Sequence, residues 1–160
     1  MRRFTISLFA MLGAVVAQAA SVEVRFVQVD QYADAGRDVR SREEVQQGLG
    51  QHLKRLGATL PNSQLLAIDV LDIDLAGEIR PLHRVWPDIR VLRGGADWPR
   101  ITLRYTLRDG SALLTSGEER LSDMNYLVAG AYRGYDQGEA LRYEKRMLDR
   151  WFNERFGKRP

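Results

Sequence analysis

The chain has 160 residues, of which 44% are hydrophobic and 28% are charged, and it contains no cysteine. This composition is typical of one folded globular domain. It excludes a disulfide scaffold, a cysteine-ligated zinc site and a thiol enzyme. The formal net charge of +3 would suit an acidic partner such as nucleic acid only if the basic residues clustered on the folded domain.

Residues 1–19 have the layout of a secretory signal peptide. Two arginines precede a mainly apolar run from Phe4 to Val16, and the small residues of Ala17-Gln18-Ala19 follow it. We expect cleavage after Ala19, with cleavage after Ala20 as the alternative. The apolar run is shorter than the about 20 residues that a membrane-spanning helix needs.

Removal of this leader changes the meaning of the charge. The leader carries two arginines and no acidic residue, so the net charge falls from +3 to +1. We therefore expect no binding to nucleic acid. Residues 20–160 are predicted to form a single exported domain without a transmembrane segment, located in the periplasm or secreted.

The first half of this domain predicts a strand, a helix and a second strand. Ser21 to Val29 largely alternates apolar and polar residues with the period of a strand. A capping box at Ser41-Arg42-Glu43-Glu44 predicts a helix that begins there and ends at Gly57. The apolar stretch Gln64 to Leu75 predicts a strand covered on both faces.

The second half predicts an irregular excursion, a hairpin and a terminal helix. The excursion, Gly77 to Pro99, is rich in proline and glycine and holds one short strand at Ile89 to Leu92. Asp109-Gly110 joins two strands in a hairpin, with Arg104 and Arg108 on the solvent face.

Glu139 to Phe156 has the apolar face of an amphipathic helix. The order of elements predicts an α+β two-layer sandwich. In it, a mostly antiparallel sheet of four to five strands carries two helices on one face.

Four segments resemble a known family: Asp72–Gly77, Trp98–Ile101, Ser116–Tyr126 and Leu141–Leu148. In these segments the chain is similar to the bacterial secreted proteins catalogued as domain of unknown function 3016. The resemblance covers essentially the whole mature chain. It implies export from the cytoplasm, and it brings no assigned activity, ligand or cofactor.

Acidic residues of the second strand offer oxygen ligands for a hard metal ion. Asp72 and Asp74 share one strand face, whereas Asp69 points to the other, and Glu78 follows them. The alternative hypothesis is a periplasmic hydrolase or metal-dependent enzyme that uses Asp72, Asp74 and Glu78 together with His83 in the excursion.

The enzyme hypothesis lacks a motif to support it. Arg80, Arg84 and Arg104 are equally available as ion-pair partners for the carboxylates. The other histidine, His52, lies beside the apolar face of the first helix and is expected to be packed there. Neither histidine accompanies a nucleophile elbow or a zinc motif, so we expect no enzyme, no metal and no cofactor.

The long connection from Leu121 to Gly138 is the strongest candidate for a binding surface. Its tyrosines and arginine are residue types that interfaces favour, and tryptophans of the excursion offer stacking surfaces. The alternative is that its apolar residues only cap the sheet. The candidate binding residues are Trp86, Trp98, Asp123, Asn125, Tyr126, Tyr132, Arg133 and Tyr135.

The sequence therefore predicts an exported cell-envelope protein that is a non-enzymatic binding or accessory module. Its Tyr/Arg/Trp-bearing loop face would contact an envelope protein or a small polar ligand.

Overall fold

The computed structural model describes residues 21–80, 89–128, 134–136 and 138–157. The predicted leader and the residues His83, Arg84, Trp86, Tyr132 and Arg133 lie outside these ranges. The elements are β1 (Ser21–Phe26), α1 (Val39–Gly57), β2 (Gln64–Asp74), β3 (Glu78–Arg80), β4 (Ile89–Val91), β5 (Arg100–Asp109), β6 (Ala112–Ser122) and α2 (Arg142–Phe156). In the described ranges, neither helix is long and apolar enough to span a membrane.

Four strands form the main sheet in the order β1-β2-β5-β6. β1 runs parallel to β2, and the other two pairs are antiparallel. β3 and β4 form a separate two-stranded sheet. The predicted α+β class, the hairpin and its solvent-facing arginines are confirmed, whereas β3 was not predicted.

Both helices pack on one face of the main sheet, which we call the inner face. Leu49 of α1, Ile68 of β2, Leu103 of β5 and Leu148 of α2 belong to one continuous buried core. Trp151 of α2 packs edge-on against the ring of Tyr105 of β5. The outer face carries charged residues instead, so the two-layer prediction is confirmed.

The prediction that β2 is covered on both faces is wrong. Its inner side chains, such as Leu66 and Val70, are buried, whereas its outer side chains are half-exposed. Among the residues that the structure describes, only the inner face has a helix layer above it. The outer side chains contact neighbouring strands instead: the Asp69 carboxylate, for example, accepts a hydrogen bond of 2.8 Å from Arg25 of β1.

The three aspartates of β2 lie on one face, which corrects the prediction that Asp69 opposes the other two. Val70 pairs with Leu103, but Asp72, two positions further along β2, pairs with Thr102, which directly precedes Leu103 in β5. Leu71 is therefore the extra residue of a β-bulge, and a bulge shifts the alternation by one position. Asp69, Asp72 and Asp74 all point to the outer face as a result.

Both helices begin elsewhere than predicted. Asp38 caps α1, because its carboxylate accepts from the Ser41 backbone N–H at 2.7 Å while the Ser41 hydroxyl accepts from the Asp38 N–H. Ser41 is thus the third helical residue, and its predicted role as the cap is wrong. α2 begins at Arg142, three residues after the predicted Glu139.

Candidate functional site

A cleft of about 530 Å³ opens where the N-terminal ends of both helices approach the β3–β4 arm. Val45 of α1, Leu75 after β2, Ile79 of β3 and Leu141 before α2 give it apolar walls. Its remaining lining residues are Gly36, Arg37, Asp38, Ser41, Glu44, Arg90 and Ala140. We call this space the cleft.

A second pocket of about 230 Å³ shares Leu75, Arg90 and Leu141 with the cleft. It is also lined by Tyr143 and Glu144 of the first turn of α2. The two pockets therefore adjoin along one wall and run from the start of α1 to the start of α2.

The wall at the start of α1 is fixed by a glycine and a capping box. Gly36 has φ +110, and a Cβ atom there would lie 2.6 Å from the Ser41 Oγ. Only glycine fits this close approach and this φ together. The chain can then turn sharply into Asp38. The Asp38 carboxylate accepts from the Ser41 backbone N–H, and the Ser41 hydroxyl accepts from the Asp38 backbone N–H.

Arg90 joins the β3–β4 arm to the end of β2. Its guanidinium lies 2.9 Å from the Asp34 carboxylate and donates to the carbonyl oxygens of Ala76 and Gly77 at 3.3 and 3.0 Å. A guanidinium suits this task because its donors form a rigid planar fork. The position of Arg90 in both pockets is thus set by main-chain contacts.

Glu144 is a buried carboxyl group in the second pocket, with 3% of its surface exposed. Its Oε1 accepts a hydrogen bond of 2.8 Å from the Ala76 backbone N–H. Burial raises the pKa of Glu144, although this hydrogen bond and the charge of Arg90 oppose the shift. The pocket therefore holds an acid group with an elevated affinity for a proton.

Leu141 precedes α2 in the left-handed region, with φ 59. A residue other than glycine in this conformation lowers the stability by about 1–2 kcal/mol. Its carbonyl oxygen accepts the first helical hydrogen bond from Lys145 N–H at 2.9 Å. The turn at Leu141 gives both pockets a shared wall, and local backbone strain of this kind is often found at functional sites.

Two of the predicted binding residues, Tyr126 and Trp98, lie behind the second pocket. Tyr126 is fully buried and packs edge-on against Tyr143, with 5.1 Å between ring centroids. Its hydroxyl accepts from the Gly94 N–H at 3.2 Å, and half-buried Trp98 packs against the same cluster. These two side chains support the pocket wall. Asp123 is also buried, and it pairs with Arg146 of α2 at 2.6 Å.

The other described binding residues are Asn125 and Tyr135. Asn125 is exposed, and its backbone N–H donates to Asp123 Oδ1 at 3.3 Å. Tyr135 donates a hydrogen bond to Asp149 of α2, and its ring lies beside His52 of α1. The predicted loop residues therefore do not form one continuous face in the described chain.

The carboxylates of the enzyme hypothesis are engaged elsewhere. Asp74 pairs with Arg100, which the sequence did not single out, and Asp72 accepts from the Ala33 N–H at 2.9 Å. Arg104, a predicted partner, bonds Glu118 of β6. Within residues 21–80, 89–128, 134–136 and 138–157, no three metal-ligating side chains converge.

A family model described as Protein of unknown function (DUF3016) matches residues 20–154. The chain belongs to the DUF3016 family. This confirms the resemblance seen in the sequence. No curated protein matches this DUF3016 chain, and no solved structure does.

Sequence reasoning missed the residues that shape the two pockets of this DUF3016 protein. Arg90 and Glu144 belong to segments 54 positions apart in the numbering, and nothing local marks either one. Glutamate in the first turn of a helix is commonly an exposed residue that complements the helix dipole. The one available signal was Gly36, which stands alone in a polar stretch just before the helix.

Proposed function

We propose that this DUF3016 protein is an exported cell-envelope protein that acts as a non-enzymatic binding module, with the cleft as its binding site. The cleft itself carries the proposal. Its volume of about 530 Å³ falls within the range of small-molecule sites, about 300–1,000 Å³. The signal-peptide pattern at residues 1–19 supports export.

The lining favours a ligand with an apolar body and one anionic or strongly polar group. Val45, Leu75 and Ile79 offer apolar contact, and Arg37 and Arg90 supply positive charge beside them. The N-terminus of α1 adds partial positive charge. Carboxylates offset part of this charge, because Asp38 caps the N-terminus of α1 and Asp34 pairs with Arg90. The polar group of the ligand is therefore recognised through hydrogen bonds from these guanidinium groups as well as through charge.

The hydrogen bonding of the lining supports binding over catalysis. A nucleophile needs an adjacent base, but the Ser41 hydroxyl is engaged with the backbone of Asp38. Glu44 pairs with Arg40 at 3.0 Å. No histidine occurs among the described residues that line the two pockets.

The runner-up is a hydrolase or metal-dependent enzyme that uses Asp72, Asp74, Glu78 and His83. Nothing favours it over a binding module. The ion pair of Asp74 with Arg100 and the main-chain contact of Asp72 already account for those two carboxylates.

Binding of anilinonaphthalene sulfonate, an apolar probe with one anionic group, tests the cleft. Fluorescence titration of the purified protein should show saturable binding. Ala140→Trp fills the cleft from an exposed lining position and should abolish the signal. Ala112→Trp, an equally exposed change in the β5–β6 hairpin, should leave it unchanged. Equal binding by both variants would exclude the cleft as the site.

A further inference from the structure

β6 is a long edge strand. It spans eleven residues and pairs with β5 along one side, and no strand in the described chain pairs with its other side. An edge strand presents backbone N–H and C=O groups that can pair with another chain. The outer-face residues of β6 include Glu118 and Arg120, two positions apart.

Exposed apolar side chains collect at both ends of this strand. Leu113 and Leu114 are 55% and 50% exposed at its start, and Met124 and Val128 are 67% and 56% exposed just beyond its end. With Leu127, these are five of the eight large hydrophobic residues that are exposed in the described chain. Apolar exposure concentrated at one edge is typical of an interaction surface.

We propose that β6 pairs antiparallel with β6 of a second copy of this chain, forming a two-fold symmetric dimer with one continuous eight-stranded sheet. Such an interface is self-complementary, because the same patch serves on both copies. A two-fold axis through Glu119 places Glu118 opposite Arg120 of the second copy. The same register places Ser116 opposite Ser122 of the second copy, and both residues lie in the regular part of β6.

The neighbouring registers are less complementary. Directly opposed residues of an antiparallel pair share a face. The alternative two-fold axes therefore pass through other residues of β6, and each of them places outer residues opposite outer residues. An axis at Glu118 opposes two Glu118 carboxylates, and an axis at Arg120 opposes two Arg120 guanidinium groups. An axis at Gly117 places Glu118 opposite Ser116 and gives Arg120 no acidic residue opposite it. Among these axes, only the one at Glu119 opposes residues of opposite charge.

The residue on the axis is compatible with this register. Glu119 points to the inner face, and its Oε1 lies 2.6 Å from Nη2 of Arg155 on α2. Two neutralised Glu119–Arg155 pairs would meet at the axis, where two bare carboxylates would repel each other. Both copies keep their helices on the same side of the continuous sheet.

Sedimentation of the protein purified after expression of the full chain tests the association. We expect a dimer, with a dissociation constant raised about tenfold by Arg120→Glu, since the like-charge contact with Glu118 that it creates occurs twice across the axis. The Glu118→Arg/Arg120→Glu variant should recover affinity through the reversed charges. Arg108→Glu reverses the charge of an exposed arginine on β5 and serves as the matched control. A monomer at all concentrations would overturn the proposal.

Cysteine cross-linking tests the register, because the chain has no cysteine of its own. Positions 116 and 122 of one copy are about 20 Å apart along the strand, so a disulfide between them must join two copies. The Ser116→Cys/Ser122→Cys variant should form a covalent dimer on oxidation, and each single variant should not. Equal cross-linking by a single variant would overturn this register.

Discussion

His52 of α1 lies within hydrogen-bond distance of Asp149 of α2, with 2.7 Å between Nε2 and Oδ1. Arg55 Nη2 lies 3.1 Å from the other ring nitrogen, Nδ1. A guanidinium only donates, so Nδ1 accepts and the hydrogen is on Nε2. His52 is therefore neutral and links the two helices, while Tyr135 donates to the other oxygen of Asp149.

The neutral state of His52 predicts a pH-dependent stability. Burial is the main cause that lowers the pKa of His52 below its ordinary 6.5, and Arg55 adds to the effect while Asp149 opposes it. Below about pH 6.5 the unfolded chain therefore binds a proton that the folded chain does not. The free energy of unfolding should fall as the pH decreases from about 6.5 toward the lowered pKa.

Urea unfolding at pH 7.5 and 5.5 measures this effect. His52→Gln keeps a donor for Asp149 and an acceptor for Arg55 but does not titrate, so its free energy of unfolding should vary less between the two pH values. His83→Gln, which removes the other histidine, is the matched control. The same pH dependence in His52→Gln and in the unmodified protein would contradict this assignment.

Local patterns were sufficient for the order of elements. The alternation from Ile101 to Leu107 depends only on which side chains face the core, and Asp109-Gly110 fits the turn of a hairpin. Most elements therefore lie close to where the sequence places them. β3 is different, because it has a single apolar residue, Ile79, between two charged ones, whereas β4 begins and ends with an apolar residue.

The β2 bulge shows what local patterns omit. Whether Asp72 and Asp74 share a face with Asp69 depends on pairing with β5, and the sequence of β2 contains no sign of the extra residue at Leu71. The cap of α1 shows the same limit. Asp38 and Ser41 are both good caps, and only their reciprocal hydrogen bonds show that Asp38 is the cap and Ser41 the third helical residue.

The cleft was beyond prediction because it is made by tertiary contacts. Its walls come from the starts of both helices, the end of β2 and the β3–β4 arm. Glu144 is buried where the backbone N–H of Ala76, just after the end of β2, donates to its carboxyl group. Neither segment alone indicates that a carboxyl group is withdrawn from water there.

Glu144 provides a second prediction, on the cost of that burial. Glu144→Ala leaves the buried N–H of Ala76 without its acceptor, which should lower the free energy of unfolding by about 1–3 kcal/mol. Glu144→Gln keeps an acceptor oxygen and removes the charge. It should be at least as stable as the unmodified protein at pH 7.

The sign of the pH effect at Glu144 is opposite to that at His52. Its pKa is raised in the folded state, so its contribution is complete below about pH 4.5 and decreases as the pH rises through the folded pKa. The advantage of Glu144→Gln should therefore grow from pH 5 to pH 8 in urea unfolding. Glu154→Gln, an exposed change on the same helix, is the control. An advantage that does not grow with pH would refute the assignment.

The contact between α1 and β1 predicts a third result. A Cβ atom on Gly57 would lie 2.3 Å from Cγ2 of Val22. Gly57→Ala should therefore lower the free energy of unfolding by about 1–3 kcal/mol, because a β-branched side chain in a packed interface has little room to shift.

A double-mutant cycle isolates this contact. Val22→Ala removes the clashing methyl groups, so Gly57→Ala should be much less harmful in that background. Gly95→Ala, where nothing lies within 4 Å, should change the stability by less than about 0.5 kcal/mol. Equal effects of Gly57→Ala in both backgrounds would show that its cost arises elsewhere.

Export provides the last prediction. Expression of the full chain in a bacterial host with a general secretion system should yield a periplasmic protein whose intact mass begins at Ala20. The peptidase admits small side chains at the first and third positions before the cut. Ala19→Arg should therefore accumulate the uncleaved precursor, whereas Gln18→Arg, at the tolerant position between them, should be processed. A cytoplasmic product that retains residues 1–19 would contradict export, and processing of Ala19→Arg to the same product would contradict the cut after Ala19.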